Sequence, residues 1–189
     1  MRILVLNGSP QKKGTVATLL KVVADGAAER HKVEWIDVYD LETRPCIACM
    51  KCRPDWECVL PEDDAHIVGR KIKEAQGLIV GTPTHWGNMS TQLKLLFDRN
   101  VPVFMGEKAS GMPIPLQKGK PAVIVTACTT PWPLNFIVAE SRGAIRAVRN
   151  VLHYGGYRIL GKLVKPGSKK KPQTSQKLLK RGRDLGRRF

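Results

Sequence analysis

The stretch ILVLNGSPQKKGT (Ile3–Thr15) joins a short apolar run to a helical pattern through a loop rich in glycine and hydroxyl residues. Ile3 to Leu6 is typical of a buried strand, and Thr15 to Arg30 has apolar side chains at helical spacing. Because the loop ends where this helix begins, unbonded amides, the helix dipole and nearby hydroxyls favour a phosphate. The loop lacks both GxxxxGK[ST] and GxGxxG. It is interpreted as a site for a terminal monophosphate, with an ordinary strand-to-helix turn as the alternative.

The same alternation of strand and helix patterns continues along the chain. Further strands are predicted at residues 33–38, 77–81, 122–126 and 157–164. The helices between them are marked by apolar side chains at helical spacing: Val68, Ile72 and Ala75, then Met89, Leu93, Leu96 and Phe97, then Val138, Ile145, Val148 and Leu152. This order predicts an α/β fold with a mostly parallel, doubly wound five-stranded sheet and helices on both faces. Ligands of such sheets bind in the loops after the strands.

The loop after the third predicted strand, GTPTHWGNMS (Gly81–Ser90), contains a large aromatic ring, an imidazole and several residues that expose the backbone. A planar heterocycle requires an apolar face and main-chain hydrogen bonds at its polar edge, and this loop can supply both. Trp86 and His85 are also common as packing residues. Beside a phosphate loop, however, they indicate flavin mononucleotide (FMN). The next loop would form a third wall with Thr126 and Ala127, and Cys128 is given no catalytic role.

Four of the five cysteines lie within 13 residues, with the spacing C-x2-C-x2-C-x5-C at Cys46, Cys49, Cys52 and Cys58. Three thiolates at this spacing can surround one face of a 4Fe–4S cluster, and a fourth can complete the ligand set. Structural zinc more often uses two separated ligand pairs, and His66 is poorly spaced for it. The spacing favours a cluster. Zinc and a metal-free, redox-sensitive loop are the alternatives.

The chain has 189 residues and a net charge of +16, but the positive charge is concentrated in its last segment. Residues 162–189 contain 11 Lys or Arg and one acidic residue, whereas the preceding residues have a net charge of only +6. The last segment is interpreted either as a helix packed against the domain with its charges in water, or as a docking surface for an acidic partner. Nucleic acid is disfavoured because interleaved aromatic residues are missing.

The expected organisation is one domain at residues 1–165, with a cysteine loop at 43–60 inserted after the second strand, followed by a basic linker and C-terminal helix at 166–189. No apolar run approaches the roughly 20 residues of a membrane helix, and the apolar run of Ile3–Leu6 is too short for a signal-peptide core. We expect a cytoplasmic protein that does not bind membranes, in which thiols stay reduced.

Several of these motifs resemble the NADPH-dependent FMN reductase and multimeric flavodoxin superfamily. They are LNGSP (6–10) with Gly14, GTPT (81–84), QLK (92–94), FDR (97–99) and GKP (119–121). The block PCIACMKC (45–52), followed by Cys58 and Asp63-Asp64, is similar to its iron–sulfur flavoprotein branch. The resemblance implies a flavodoxin-like fold with strand order 2-1-3-4-5, bound FMN, and a homodimer or homotetramer.

The resemblance also implies which residues hold the cofactor. The phosphate would contact Ser9, Lys12, Gly14, Thr15, Val16 and Ala17, and the flavin ring would contact Pro83, Thr84, His85, Trp86, Gly87 and Asn88. The chain departs from the family pattern at Gln11, where arginine is usual, and at Thr15-Val16, where Asn-Thr is common.

Together these observations predict an FMN-dependent oxidoreductase. Electrons would pass between a low-potential, acidic carrier such as ferredoxin, the cluster, FMN and a small acceptor such as oxygen, peroxide or a quinone. One alternative is a cluster-free reductase of FMN or quinones that takes NAD(P)H as substrate. Another is a non-enzymatic electron carrier like flavodoxin. Since the flavin performs the chemistry, no catalytic side chain is predicted.

Overall fold

The computed structural model describes residues 1–53, 55–170 and 173–189. Pro54 of the predicted cysteine loop and Lys171 and Pro172 of the predicted linker lie outside the described residues. Strands and helices alternate along the chain in this order: β1 (Arg2–Asn7), α1 (Thr15–Ala28), β2 (Lys32–Asp37), α2 (Asp64–Glu74), β3 (Gly77–Pro83), α3 (Thr91–Arg99), α4 (Val101–Phe104), β4 (Met105–Glu107), β5 (Pro113–Pro115), β6 (Pro121–Ala127), α5 (Leu134–Ile137), α6 (Glu140–Tyr154), β7 (Arg158–Lys165) and α7 (Gln176–Gly186).

Five of the strands form one parallel sheet with the order β2-β1-β3-β6-β7. In the central register, Val5 of β1 lies opposite Trp35 of β2 and Ile79 of β3. Strands β4 and β5 form a separate antiparallel pair, so the fourth and fifth strands predicted from the sequence are β6 and β7. The order confirms the predicted flavodoxin-like sheet.

The two faces of the sheet have separate apolar cores, because successive side chains of a strand point to opposite faces. Leu4 and Leu6 of β1 belong to the core beneath α2, α3, α4 and α6. Ile3 and Val5 belong to the core beneath α1 and α7. All four side chains are almost fully buried, which explains the continuous apolar run of β1. Within the described residues, no helix has the length and apolar character to span a bilayer.

Helix α6 begins later than its predicted stripe implied. Val138 was expected on the buried face of this helix, but it precedes α6 and is 60% exposed. The chain after β6 first forms the short helix α5, and Ala139 then takes a left-handed conformation with a φ of 56°. Because a left-handed residue interrupts a right-handed helix, Val138 is separated from the buried face formed by Ala144, Val148 and Leu152.

Candidate active site

The loop after β1 is fixed directly against the loop after β3. The backbone N–H of Gly8 donates to the Gly81 carbonyl at 2.8 Å, and the Ser90 hydroxyl donates to the Gly8 carbonyl at 2.6 Å. A Cβ at Gly8 would lie 2.9 Å from the Gly81 oxygen, so only glycine permits this approach. Ser90 is fully buried and also receives support from Thr82, whose hydroxyl accepts from the Ser90 N–H at 2.9 Å. The two predicted ligand loops therefore form one rigid edge.

The beginning of α1 presents unpaired hydrogen-bond donors. Its N-cap is Gly14, which has no side chain to cap the helix, and the first turn contains no acidic residue. Among the described residues, nothing accepts from the backbone N–H groups of Thr15, Val16 and Ala17. Ser9 is buried beside them, and its hydroxyl accepts from the Gln11 N–H at 3.2 Å. Such a terminus, with its positive dipole end, fits an anion.

Lys12 pairs with a residue that follows β2. Its ammonium lies 2.5 Å from the Asp40 carboxylate, and this hydrogen bond raises the pKa of Lys12 above its ordinary value. Asn7, at the end of β1, similarly donates to the Asp37 carboxylate at 2.7 Å. The chain after β2 thus begins beside the phosphate loop, as the parallel sheet requires. The charge of Lys12 is already shared with a carboxylate.

The loop after β3 ends in a tight turn that displays Trp86. The N–H of His85 donates to the Asn88 carbonyl at 2.9 Å, and the Asn88 N–H donates back to the His85 carbonyl at 2.8 Å. Trp86 and Gly87, between them, have φ values of 51° and 69°. Two consecutive positive φ values are those of a type I′ turn, which favours Asn-Gly rather than Trp-Gly. The Trp86 side chain is fully exposed, so this turn holds an aromatic ring outside the core.

Strand β6 supplies a third wall at the same edge. The Thr84 N–H donates to the Ala127 carbonyl at 3.0 Å, and the hydroxyls of Thr84 and Thr126 lie 3.4 Å apart. Thr126 is fully buried, and its hydroxyl donates to the Thr82 carbonyl at 2.8 Å. The structure therefore brings the ends of β1, β3 and β6 together, as predicted.

The four clustered cysteines are free thiols that line one cavity of about 200 Å³. The walls of the cavity are largely apolar and come from the cysteine loop, from the junction of α3 and α4, and from β4. Ala48 and Met50, between the first three cysteines, have positive φ values of 52° and 60°. Left-handed backbone at non-glycine residues costs energy and is concentrated at functional sites.

Burial is the main cause that raises the pKa of the Cys52 thiol above its ordinary value, and the charges of Cys58, Cys46 and Cys49 add to the effect. All four thiols line the same cavity. In the described part of the chain, however, no three His, Cys, Asp or Glu side chains are gathered as in a formed metal site. The thiols share a cavity without converging on one point.

Arg99, at the end of α3, also lines this cavity and was not predicted as a functional residue. Its side chain is fully buried and pairs with the Asp63 carboxylate, with Nη1 to Oδ2 at 2.7 Å and Nη2 to Oδ1 at 3.2 Å. Nη1 also donates to the Arg44 carbonyl at 2.8 Å. Burial lowers the pKa of Arg99, but the hydrogen bonds to Asp63 and the neighbouring Cys58 raise it above its ordinary value. The guanidinium is therefore a fixed cation beside the thiols.

Asp63 also begins α2 and links the network to the cysteine loop. Its carboxylate accepts from the Ala65 N–H at 3.1 Å and lies 3.1 Å from His66 Nδ1. The other ring nitrogen of His66 lies 3.2 Å from the Cys58 carbonyl oxygen. His66 therefore supports the backbone of the cysteine loop.

Comparison with known proteins identifies the family. The family model described as NADPH-dependent FMN reductase matches residues 1–156. The chain belongs to this family. The match ends before β7 and α7, so the basic C-terminal segment lies beyond the matched part of this FMN reductase family member.

Two relatives are described as iron–sulfur flavoproteins. One, from Methanocaldococcus jannaschii, is 36% identical over 107 residues, which cover 56% of this chain and 55% of that protein. The other, from Clostridioides difficile, is 26% identical over 181 residues, which cover 93% of this chain and 72% of that protein. The chain spans about half the length of several of the curated relatives it matches.

The fold is also that of known structures. A crystal structure of Smu.1420 from Streptococcus mutans is 21% identical, with a TM-score of 0.80 and full coverage of both chains. This likeness concerns the fold. The likeness is consistent with the flavodoxin-like strand order of the sheet described above.

The residues of this family member fit FMN in two respects. The unbonded amides and buried Ser9 at the start of α1 suit a phosphate, and the exposed turn at Trp86 suits the face of a flat ring. The cysteine cavity fits a metal–sulfur group by its donor chemistry, with four thiols and a buried cation. Ser90 was not predicted at this site. Its only sequence signal was its position at the end of the Gly81–Ser90 loop.

Proposed function

We propose that the protein is an FMN-dependent oxidoreductase of the iron–sulfur flavoprotein type. It would exchange electrons between a low-potential carrier such as ferredoxin and a small acceptor such as oxygen, peroxide or a quinone. The observation that carries the proposal is the pairing of a flavin-type strand-end cleft with a cavity lined by Cys46, Cys49, Cys52 and Cys58. When bound, a 4Fe–4S cluster supplies one-electron transfer, and FMN accepts two electrons and releases them singly.

The residues at the ends of β1 and β3 would bind and orient FMN. The amides of Thr15, Val16 and Ala17 are the phosphate donors, and Ser9 stands beside them in the buried part of the loop. The backbone of Pro83–Asn88 would meet the polar edge of the ring, with Trp86 as its aromatic neighbour. The hydrogen bonds from Gly8 to Gly81 and from Ser90 to Gly8 keep these two halves at a constant separation. A rigid cleft of this kind lowers the entropy lost on binding.

The cysteine cavity would hold the cluster near a fixed positive charge. Arg99 is held by Asp63 and the Arg44 carbonyl, and its Nε is buried without a partner among the described residues. A buried donor without a partner is costly, so an acceptor such as a thiolate or a sulfide is the expected occupant of this position. The guanidinium would then stabilise the negative charge of a thiolate-bound cluster.

An acidic carrier is the proposed electron-transfer partner. The support for it is the charge of the chain, above all the basic groove between β7 and α7 that Lys162, Lys180, Arg181 and Arg188 line. Attraction between such a surface and an acidic protein would accelerate association and weaken with salt. A homodimer or homotetramer is the proposed assembly, because Trp86 and a second exposed apolar group, comprising Trp132, Leu134, Ile137 and Val138, lie on the surface.

The decisive experiment is anaerobic purification with an optical spectrum, FMN quantification and assays of iron and acid-labile sulfide. Flavin bands together with a broad iron–sulfur shoulder, and about four irons per chain, are the expected result. A colourless protein that contains zinc would overturn the proposal.

The second candidate is a cluster-free reductase of FMN or quinones that uses NAD(P)H. It is favoured by the absence, within the described residues, of three side chains gathered as in a formed metal site. Flavin without iron or sulfide, combined with rapid oxidation of NADPH, would establish this candidate in place of the first. The same preparation therefore distinguishes the two.

A further inference from the structure

The C-terminal segment forms a wall beside the phosphate loop. A cavity of about 680 Å³ lies at the beginning of α1. One wall comes from the phosphate loop and the first turn of α1, at Gln11, Lys13, Gly14, Thr15 and Thr18. The C-terminal segment contributes Ser168, Lys169, Gln173 and Thr174 to the lining of the same cavity. All four of these residues lie beyond the part of the chain that the family model matches.

This second wall is tied to the sheet edge by three hydrogen bonds. The Gly167 N–H donates to the Thr130 carbonyl at 2.9 Å. Both the N–H and the hydroxyl of Ser168 donate to the Cys128 carbonyl at 3.0 Å. Cys128 and Thr130 follow β6. These hydrogen bonds therefore fix the backbone directly before Lys169 next to the candidate flavin cleft.

Helix α7 fixes the other end of the segment to α1. A Cβ on Gly26 of α1 would lie 2.2 Å from the Arg183 carbonyl oxygen, so the two helices are in backbone contact there. Arg187 makes a double hydrogen bond with Glu29, in which Nε to Oε2 and Nη2 to Oε1 are both 2.9 Å. The proposed phosphate donors are the first amides of α1. The C-terminal segment that lines the same cavity is therefore attached to the helix that carries these donors.

Two lysines line the cavity, one from the phosphate loop and one from the C-terminal segment. Lys12 is paired with Asp40, and the Ser168 hydroxyl is already used by Cys128. Within the described ranges, neither Lys13 nor Lys169 is paired with a carboxylate. They are therefore two cations, one from each of two chain segments, that line a cavity with no acidic side chain among its lining residues.

We propose that Lys169 binds the phosphate of FMN together with Lys13, so that the C-terminal segment completes the phosphate site. The inference rests on the proposed FMN site and extends it to a residue outside the family match. A phosphate monoester carries up to two negative charges, which neutral backbone amides do not neutralise. The ammonium group of Lys169 would add a charge-assisted hydrogen bond. Lys169 is consequently a determinant of affinity for the phosphate and contributes nothing to the ring.

The test compares FMN with riboflavin, which has the same ring and no phosphate. Full-length protein is freed of flavin and titrated with each compound at low ionic strength, and the quenching of flavin fluorescence gives the two dissociation constants. Lys169→Gln removes the charge, and Lys180→Gln is the matched control because Lys180 lines the separate groove between β7 and α7. Circular dichroism and thermal unfolding verify that both variants are folded.

The expected result is that Lys169→Gln weakens FMN binding about three- to tenfold, with riboflavin binding unchanged. Lys180→Gln should change neither constant by as much as about twofold, and added salt should narrow the difference between Lys169→Gln and the unaltered protein. If Lys169→Gln bound FMN as tightly as the unaltered protein, or lost as much affinity for riboflavin as for FMN, the role of Lys169 would be overturned. The proposed FMN site itself would not be affected by that result. If the unaltered protein bound no FMN, the proposed function itself would be overturned with it.

Discussion

Arg99 and Asp63 form a buried, two-point ion pair across 36 positions of sequence, with one N–O distance of 2.7 Å and another of 3.2 Å. The pair connects the end of α3 to the beginning of α2 and receives the backbone of Arg44 from the start of the cysteine loop. One interaction thus joins three segments that surround the thiol cavity. Its loss is expected to affect both the fold and the cavity.

Asp63→Asn should lower the free energy of unfolding by about 3–5 kcal/mol, because it leaves the guanidinium of Arg99 buried without its counter-charge. Urea denaturation at neutral pH measures the loss. The neighbouring Glu62→Gln is the control. Glu62 pairs with Arg70 on the surface, where the side chains are 66% and 57% exposed, and an exposed pair of this kind contributes little to stability. Equal losses of unfolding free energy in the two variants would show that the buried Asp63–Arg99 pair stabilises the fold no more than an exposed pair does.

The same pair predicts how stability depends on pH. Burial alone would raise the pKa of Asp63, but the Arg44 N–H and the charge and hydrogen bonds of Arg99 hold it below its ordinary value. A lowered folded-state pKa gives stability that is present above the unfolded value and lost as the pH falls through the folded value. The stability difference between the unaltered protein and Asp63→Asn should therefore shrink below about pH 4. A difference that stayed constant in acid would contradict the ionised pair.

Local patterns in the sequence were sufficient to predict the sheet but not to predict the burial of Arg99. The apolar run of β1 and the stripe of α3 at Leu93 and Leu96 reflect burial that each segment shows by itself. Arg99 lies near the end of that stripe as a charged residue, and local periodicity would place it in water. Its burial depends on Asp63, which is distant in sequence, so only the assembled fold reveals the pair.

Cys49→Ala should remove iron from the protein while FMN remains bound, because none of the residues around the phosphate loop lines the thiol cavity. Iron, sulfide and flavin are measured on the same anaerobic preparation. Cys128→Ser is the matched control, since Cys128 is a buried free thiol outside the cavity. Full iron content in Cys49→Ala, or iron loss in the control, would exclude the proposed ligand set.

Ser90→Ala should lower the free energy of unfolding by about 1–3 kcal/mol, since it leaves the buried carbonyl of Gly8 without its donor. It should also weaken FMN binding, because the same bond holds the loops after β1 and β3 together. Ser141→Ala provides the comparison. Ser141 is likewise buried, and it accepts a hydrogen bond from Asn135 at 2.9 Å away from the Gly8 loop. Its FMN affinity should stay unchanged in the titration, and an equal loss in both variants would assign the effect of Ser90 to general destabilisation.

The flavin loops illustrate the same division between local and distant information. The glycines and hydroxyls of these loops can be read from adjacent residues, and the structure brings the loops after β1, β3 and β6 together at one edge of the sheet. Lys169 follows the last strand and lies about 150 positions after Lys13 in the printed sequence. The two residues line one cavity because β7 returns to the sheet edge and α7 packs on α1. The spacing of residues within either segment could therefore not predict that the two lysines line one cavity.

Trp86→Asn should stabilise the flavin-free protein and weaken its binding of flavin. Asparagine tolerates the left-handed backbone of residue 86 and creates the Asn-Gly sequence that a type I′ turn prefers, so a gain of up to about 1 kcal/mol is expected. The full exposure of the Trp86 ring means that no core packing is lost. Because the ring would contact the flavin and not the phosphate, affinities for FMN and riboflavin should fall together, in contrast to the effect of Lys169→Gln. Thermal unfolding and the two titrations measure this, and a variant that was less stable yet bound both flavins normally would refute the idea that strain at residue 86 is maintained for cofactor binding.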